Sequence, residues 1–287
     1  MPDVPEIRPM RLEDDVAVHE LQNVTFADLE RRFHHPPSPP APLEAARIRI
    51  RQLIGTDPGG AWVAEEGGEV VGAALALERE GLWGLSLLVV SPALQSQGVG
   101  RRLLERTLEY AGGGERGAVI LASPDHRALR AYARAGFTAH PCFDASGVPT
   151  VTDPPEGVRE GGLDDLPLTE TVSRAVRGAS HGSDVEAMLR AGARMFVLPE
   201  RGFSITTSTG IKLVAALDEE AARDLLLGTL AAVPEGQETN VEWITSAQQW
   251  AVEPALEAGL TLKLGGGVFL RGDVGPFRPY LPSGAYL

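Results

Sequence analysis

At 287 residues the chain is long for one domain and natural for two of about 140 residues each. Its 43% hydrophobic content lets each half bury a core, yet no run nears the roughly 18–20 apolar residues of a membrane span. A net charge of −13 argues against a nucleic-acid partner, which would want a basic face, and a single cysteine, Cys142, excludes an internal disulfide.

The first residues, Met1-Pro2-Asp3-Val4-Pro5-Glu6, lack the basic and apolar stretches of a signal peptide. With one free cysteine, read as a small buried hydrophobe, this points to a reducing, cytoplasmic compartment. The acidity suits a cationic amine as substrate, besides aiding solubility.

Glu6 to Met10 reads as a short strand. Asp14 or Asp15 caps a helix carrying Val16, Leu21 and Phe26 to about Phe33. Residues 36–42 hold five prolines in seven positions and must be a stiff loop. The adjacent His34-His35 has no third partner at metal-ligand spacing. A second helix covers Leu43 to Leu53, ended by Gly55 and Pro58. Residues 61–66 and 69–77 form a hairpin around Gly67-Gly68. Leu82 to Val90 is the next strand.

Ser91-Pro92 stops that strand, and Gln95-Ser96-Gln97-Gly98-Val99-Gly100-Arg101-Arg102 opens a helix that reaches about Tyr110. A loop entering a helix in this way presents unpaired N–H groups at the positive end of the helix dipole. Two close glycines keep side chains out of the way, a combination suited to a diphosphate. Gly-x-Gly-x-x-Gly and Gly-Lys-Ser/Thr loops are absent, the only lysines being Lys212 and Lys263. Beyond it, 117–122 is a buried strand, 127–135 a helix and 137–143 a strand.

Leu88, Val90, Pro92, Gln95, Gly98 and Gly100 fill each position of a motif that resembles the acyl-CoA-binding motif of the Gcn5-related N-acetyltransferase (GNAT) family. Ala128-x-x-x-Tyr132-x-x-x-Gly136-Phe137 resembles a second motif of that family. The resemblance implies an α/β (α+β) fold, a mixed and mostly antiparallel sheet flanked by helices. In it the phosphate-loop strand and the next strand splay apart, and pantetheine enters between them. It also implies acetyl-CoA as cofactor, held by Leu88, Val89, Val90, the Gln95–Arg102 loop and Tyr132. Where the family often carries Asn, this chain has Pro124-Asp125, so Asp125 takes that cofactor contact in doubtful form. His126 reads as a helix-start residue.

The resemblance makes Tyr132 the general acid for the departing thiolate, a role its neutral phenol allows. The N–H of Val90 meets the developing oxyanion. No base stands out. Glu78 and Glu80 are candidates, against the plain reading of a solvated turn. In the family these motifs resemble, the loop between the first two helices contacts the acceptor, so the resemblance implies that residues 33–42 shape acceptor selection.

Residues 148–162 are rich in Pro, Gly and Glu and read as a linker. The second half looks like a worn copy of the first: 195–202 parallels 62–67, 223–230 parallels 101–108, and 257–260 parallels 134–137. Eleven positions separate Val90 from Arg101, but six separate Leu217 from Arg223, and Asp218-Glu219-Glu220 replaces the glycine loop. Carboxylates there repel a diphosphate. The expected organisation is a GNAT domain over 1–147, a linker over 148–162 and a degenerate GNAT-like domain over 163–287. The aromatic tail from Gly275 to Leu287 is expected to fold back across the domains, walling the acceptor site, with the Leu287 carboxylate as a candidate base. Simple packing on the second domain is the alternative.

The expected function is therefore acetyl transfer to a primary amine of a small molecule or peptide, with neither nucleic acid nor membrane as partner. A homodimer is left open. The alternative is a non-catalytic acyl-CoA-binding sensor.

Overall fold

In the computed structural model, residues 4–34, 40, 42–111 and 114–287 are described. Strand β1 (Glu6–Pro9) leads into helix α1 (Asp15–Phe33) and helix α2 (Leu43–Thr56). The hairpin forms as β2 (Ala61–Glu66) and β3 (Glu69–Arg79), followed by β4 (Leu82–Val90), α3 (Val99–Tyr110), β5 (Gly117–Ala122), α4 (His126–Arg134) and β6 (Thr138–Gly147). Helix α2 runs through Gly55. Most of the proline loop, with His35, lies outside the described residues, while His34 ends α1 in a left-handed conformation.

This order then recurs. β7 (Arg159–Gly161), α5 (Leu166–Arg177), α6 (Asp184–Arg190), β8 (Arg194–Leu198), β9 (Gly202–Thr207) and β10 (Gly210–Ala216) repeat the first six elements. α7 (Glu219–Ala231), β11 (Thr239–Ile244), α8 (Val252–Glu257) and β12 (Thr261–Gly272) repeat the rest, and β13 (Tyr280–Leu281) is extra. The expected linker is shorter than read, because its last residues form β7 against β8. α4 and α8 both end at a left-handed glycine, Gly136 and Gly259, as the paired Ala-Gly sequences suggest.

Two compact units result: Met1–Glu78 with Trp83–Glu115, and Arg79–Leu82 with Arg116–Leu287. In the first, the strand order is β1-β2-β3-β4. Val99 and Leu103 of α3 pack on Ala64, Ala74 and Val90, joined by Trp62, Val71 and Leu88. Val63, Ala73 and Leu75, which alternate with these, are buried as well, so both strand faces are covered. α1 turns Val18 and Leu21 inward with Gln22 and Thr25, whereas Val16 and Phe26 are exposed. Asp14 does not cap α1 through its side chain. Its carboxylate holds the Arg8 guanidinium and the Arg11 N–H instead.

The second unit has the order β5-β12-β6-β11-β10-β9-β8-β7. The final strands of the two repeats have changed places: β12 lies between β5 and β6, and β6 between β12 and β11. This pairing is why the division falls near residue 115 rather than in the expected linker. β10 meets β11 only at Ile211–Val241, and β9 occupies its opposite edge. The edge that β11 leaves is taken by β13, with Val214 opposite Leu281 and Ala215 opposite Tyr280.

Candidate functional site

In the first unit, the end of β4 and the start of α3 build the phosphate-type loop. Pro92–Leu94 form one helical turn, Ser96 and Gly98 take positive φ, and α3 begins at Val99. None of the seven backbone amides from Gln95 to Arg101 has a hydrogen-bond partner among the described residues; the first satisfied amide is Arg102, bonded to the Gly98 carbonyl. A Cβ at Gly98 would meet open space. The loop is braced from below, Gln95 Nε2 donating to the Val90 carbonyl at 3.0 Å and Gln97 Nε2 to the Ala93 carbonyl at 3.0 Å.

The side chains of Arg101 and Arg102 turn to other partners, Glu105 and the Pro5 carbonyl. Of the two, only Arg101 has a free amide to offer, and neither offers its guanidinium group. Leu88 and Val89 are packed by their side chains, Val89 being buried outright. Ser91 N–H bonds to Val71 of β3, so the trans peptide turns the Val90 carbonyl to the opposite side. That carbonyl also accepts from Thr25 Oγ1 at 3.4 Å. The N–H of Val90, an extended residue, lies on the same side and points away from β3.

In the second unit, Tyr132 is the one buried residue of α4, 5% exposed. Its ring meets Phe269 of β12 edge-on, centroids 5.5 Å apart. Burial, and secondarily the Asp125 carboxylate, raise its pKa above the ordinary phenol value, so it stays protonated at neutral pH. Asp125 is occupied locally: it caps α4 through the Arg127 N–H at 3.0 Å and pairs with the Arg127 guanidinium. That leaves an anion largely neutralised where the resemblance places a cofactor contact.

Glu80 is committed elsewhere. Its carboxylate pairs with Arg174 at 2.7 Å and accepts from the Ser180 N–H, and the Arg174 contact chiefly lowers its pKa, which disfavours it as a base. No sequence signal links Glu80 to a partner 94 positions away. Leu287 is buried too, its oxygen accepting from the Tyr280 hydroxyl at 2.6 Å and bonded to His181 Nε2 at 2.9 Å. The tail thus packs inside the second unit as an anchor, and Leu287 is not offered as the base. Cys142 is buried, its thiol pushed up to about 12 by burial and then by Asp144 and Glu242.

The second repeat has no comparable loop. Asp218 caps α7, its carboxylate accepting from the Ala221 N–H at 2.9 Å and pairing with Arg201 at 2.6 Å. The gap between β10 and β11 is filled by β13.

Residues 23–137 match the model of the Acetyltransferase (GNAT) family, so this segment is similar to the acyltransferase domain that the model describes. The fold is similar to that of a candidate acetyltransferase from Pyrococcus horikoshii, at TM-score 0.77 and 17% identity, over 100% of this chain and 96% of that one. A GCN5-related N-acetyltransferase from Sphaerobacter thermophilus aligns at TM-score 0.60 and 17% identity, over 94% of this chain and 96% of that chain. A tandem GNAT protein from the clavulanic acid biosynthesis pathway aligns at 0.55 and 18%, over 94% and 99%. These likenesses establish the fold, two GNAT-like repeats. No curated protein matches the sequence. Among the described residues, no helix is long and apolar enough to cross a membrane.

Proposed function

We propose that the chain is an acetyl-CoA-dependent N-acetyltransferase acting on a primary amine of a small molecule or peptide, with the first repeat as the catalytic one. The observation that carries this reading is the run of unpaired amides from Gln95 to Arg101 at the start of α3. A helix start leaves its first amides unpaired, and here the unpaired run reaches back through a loop whose Ser96 and Gln97 are open to solvent, an arrangement that suits an oxygen-rich anion. The residues present fit the diphosphate of coenzyme A, whereas α7 has spent the same position on Asp218.

Acetyl-CoA, when bound there, supplies an activated acyl thioester. The chain's own part is to hold and polarise. Backbone amides of Gln95 to Arg101 bind the diphosphate, and the Val90 N–H is offered to the carbonyl oxygen. The Tyr132 phenol holds its proton and gives a hydrogen bond to the sulfur side. Because its pKa is raised, this group works by hydrogen bonding more than by full proton release.

The test is thiol release from acetyl-CoA against spermidine, glucosamine and an alanine-initiated peptide, alongside calorimetry with coenzyme A. Tyr132→Phe should lower turnover by roughly 10²-fold, the lower end for a positioned acid, with coenzyme A affinity unchanged. The wild-type rate should show no alkaline decline from this phenol below about pH 10, the ordinary phenol value. Heat without turnover on any amine would support a sensor instead; no heat at all would end both readings.

A further inference from the structure

The phenol of Tyr132 has no hydrogen-bond partner among the described residues, so no polar contact sets where its oxygen points. The oxygen lies on the ring axis, so rotation about the broad χ2 leaves it in place and turns only the plane in which the O–H is given; the neighbours that pack on the ring decide that plane and the χ1 position of the whole side chain. Here the principal aromatic neighbour comes from the other repeat. Phe269 is 2% exposed on β12, in register with Ile120 of β5 and Ala139 of β6, and presents its ring edge-to-face with Tyr132, the planes 69° apart.

Along the same face of β12, two residues to either side, the strand is shaped for this contact. At Gly267 a Cβ would lie 3.2 Å from Phe269 Cε2, tighter than ordinary contact, so the glycine leaves the ring its place. Arg271 donates from Nη1 to the Ala135 carbonyl at 3.0 Å and lays its guanidinium over the Phe137 ring at 4.7 Å. Ala135 and Phe137 in turn donate their N–H groups to the Tyr132 carbonyl. β12 therefore grips α4 at the tyrosine ring and at the helix end.

We propose that the second repeat takes part in acyl transfer through β12, with Phe269 as a positioning residue that sets the Tyr132 phenol and Arg271 fixing the helix that carries it. This rests on the reading of Tyr132 as the hydrogen-bond donor to the sulfur. A hydroxyl that acts through one directed hydrogen bond loses most of its effect when displaced by about 1 Å. The second repeat has lost its own loop and kept the strand that completes its neighbour.

The experiment measures thiol release from acetyl-CoA in the full chain, with the fastest of the three amines and with water alone as acceptor. Phe269→Leu keeps the apolar volume and removes the ring edge. Its kcat should fall roughly 5- to 30-fold, within the range such displacements produce, while KM for acetyl-CoA stays within about twofold. Placed on Tyr132→Phe, it should cost nothing further, since the hydroxyl it positions is gone. Gly267→Ala, which pushes the same ring with less damage to the core, should show the same pattern. Losses that multiply in the double variant overturn the positioning role and leave Tyr132 standing, as does a change confined to KM or melting temperature. A Tyr132→Phe enzyme with undiminished kcat removes the role of Tyr132, and the positioning role with it.

Discussion

Asp144 shows how far a carboxylate's behaviour depends on what the fold sets beside it. It lies on β6 between β12 and β11, and burial, then the charge of Glu242, push its pKa up to about 6. The Trp243 N–H, which it accepts at 3.2 Å, and Lys263 pull the other way without prevailing. A folded pKa above the unfolded value of 3.8 means that the folded state holds this proton more tightly. The resulting stability is fully present below about pH 4 and is lost as pH rises through about 6. Asp144→Asn, which keeps the acceptor oxygen for Trp243, should therefore stabilise the protein by about 1–2 kcal/mol at pH 8 after solvent screening. At pH 4 it should give no gain. Denaturant titrations at the two pH values check this, and an equal effect at both would remove the charge as the cause. Glu80 has the opposite fate, held ionised by Arg174 and the Ser180 N–H. Nothing within a few residues of either acid distinguishes them.

The helices α3 and α7 occupy corresponding places in the repeats and satisfy their first turns differently. α7 closes on itself: the Asp218 carboxylate takes the Ala221 N–H and its carbonyl takes the Ala222 N–H. α3 enters through Gly98 at φ 87°, with no side-chain cap. Gly98→Ala would keep the open space but strain the backbone, at a cost on the order of 1 kcal/mol. The loop would relax, and its unpaired amides would no longer converge. Coenzyme A binding by calorimetry should weaken more than tenfold, while the melting temperature drops by only a few degrees for a change of about 1 kcal/mol; retained affinity would place the diphosphate elsewhere. This contrast was visible in the residues, because a glycine loop and an acidic start differ locally. So were the strands 82–90 and 117–122, whose apolar runs end at clear stops. β7 was hidden because three residues have no period to read, and β13 because it sits among prolines. Apolar residues alone do not mark the inner face of α1: Val16 and Phe26 are exposed, while Asp15, His19, Gln22 and Thr25 turn inward beside Val18 and Leu21.

The exchange of β6 and β12 has no local signature at all, because strand pairing between positions more than about 120 residues apart is set by the completed sheet. It nevertheless decides how the chain divides. β12 brings Val268 and Phe269 into the core and gives β5 one of its hydrogen-bonding edges over Gly117–Ala122, from Gly267 to Gly272. It also pairs β6 from Thr138 to Ser146, with one irregularity near Leu264. A fragment ending at residue 162 would keep every residue of the acyl-CoA motifs and lose this strand. β5 and β6 would then each expose an apolar edge, the Phe269 seat of Tyr132 would be empty, and unpaired edges of this kind aggregate. The fragment 1–162 should therefore be insoluble or lack a cooperative unfolding transition, although the linker-based division makes it a complete domain. Co-expressed with 163–287, it should recover solubility, because the missing strand arrives in trans. The intact chain should lose the β5–β6 region and the second repeat in one thermal transition. A soluble 1–162 fragment with a sharp transition of its own, and turnover equal to the full chain, would show that β12 is dispensable to the first repeat.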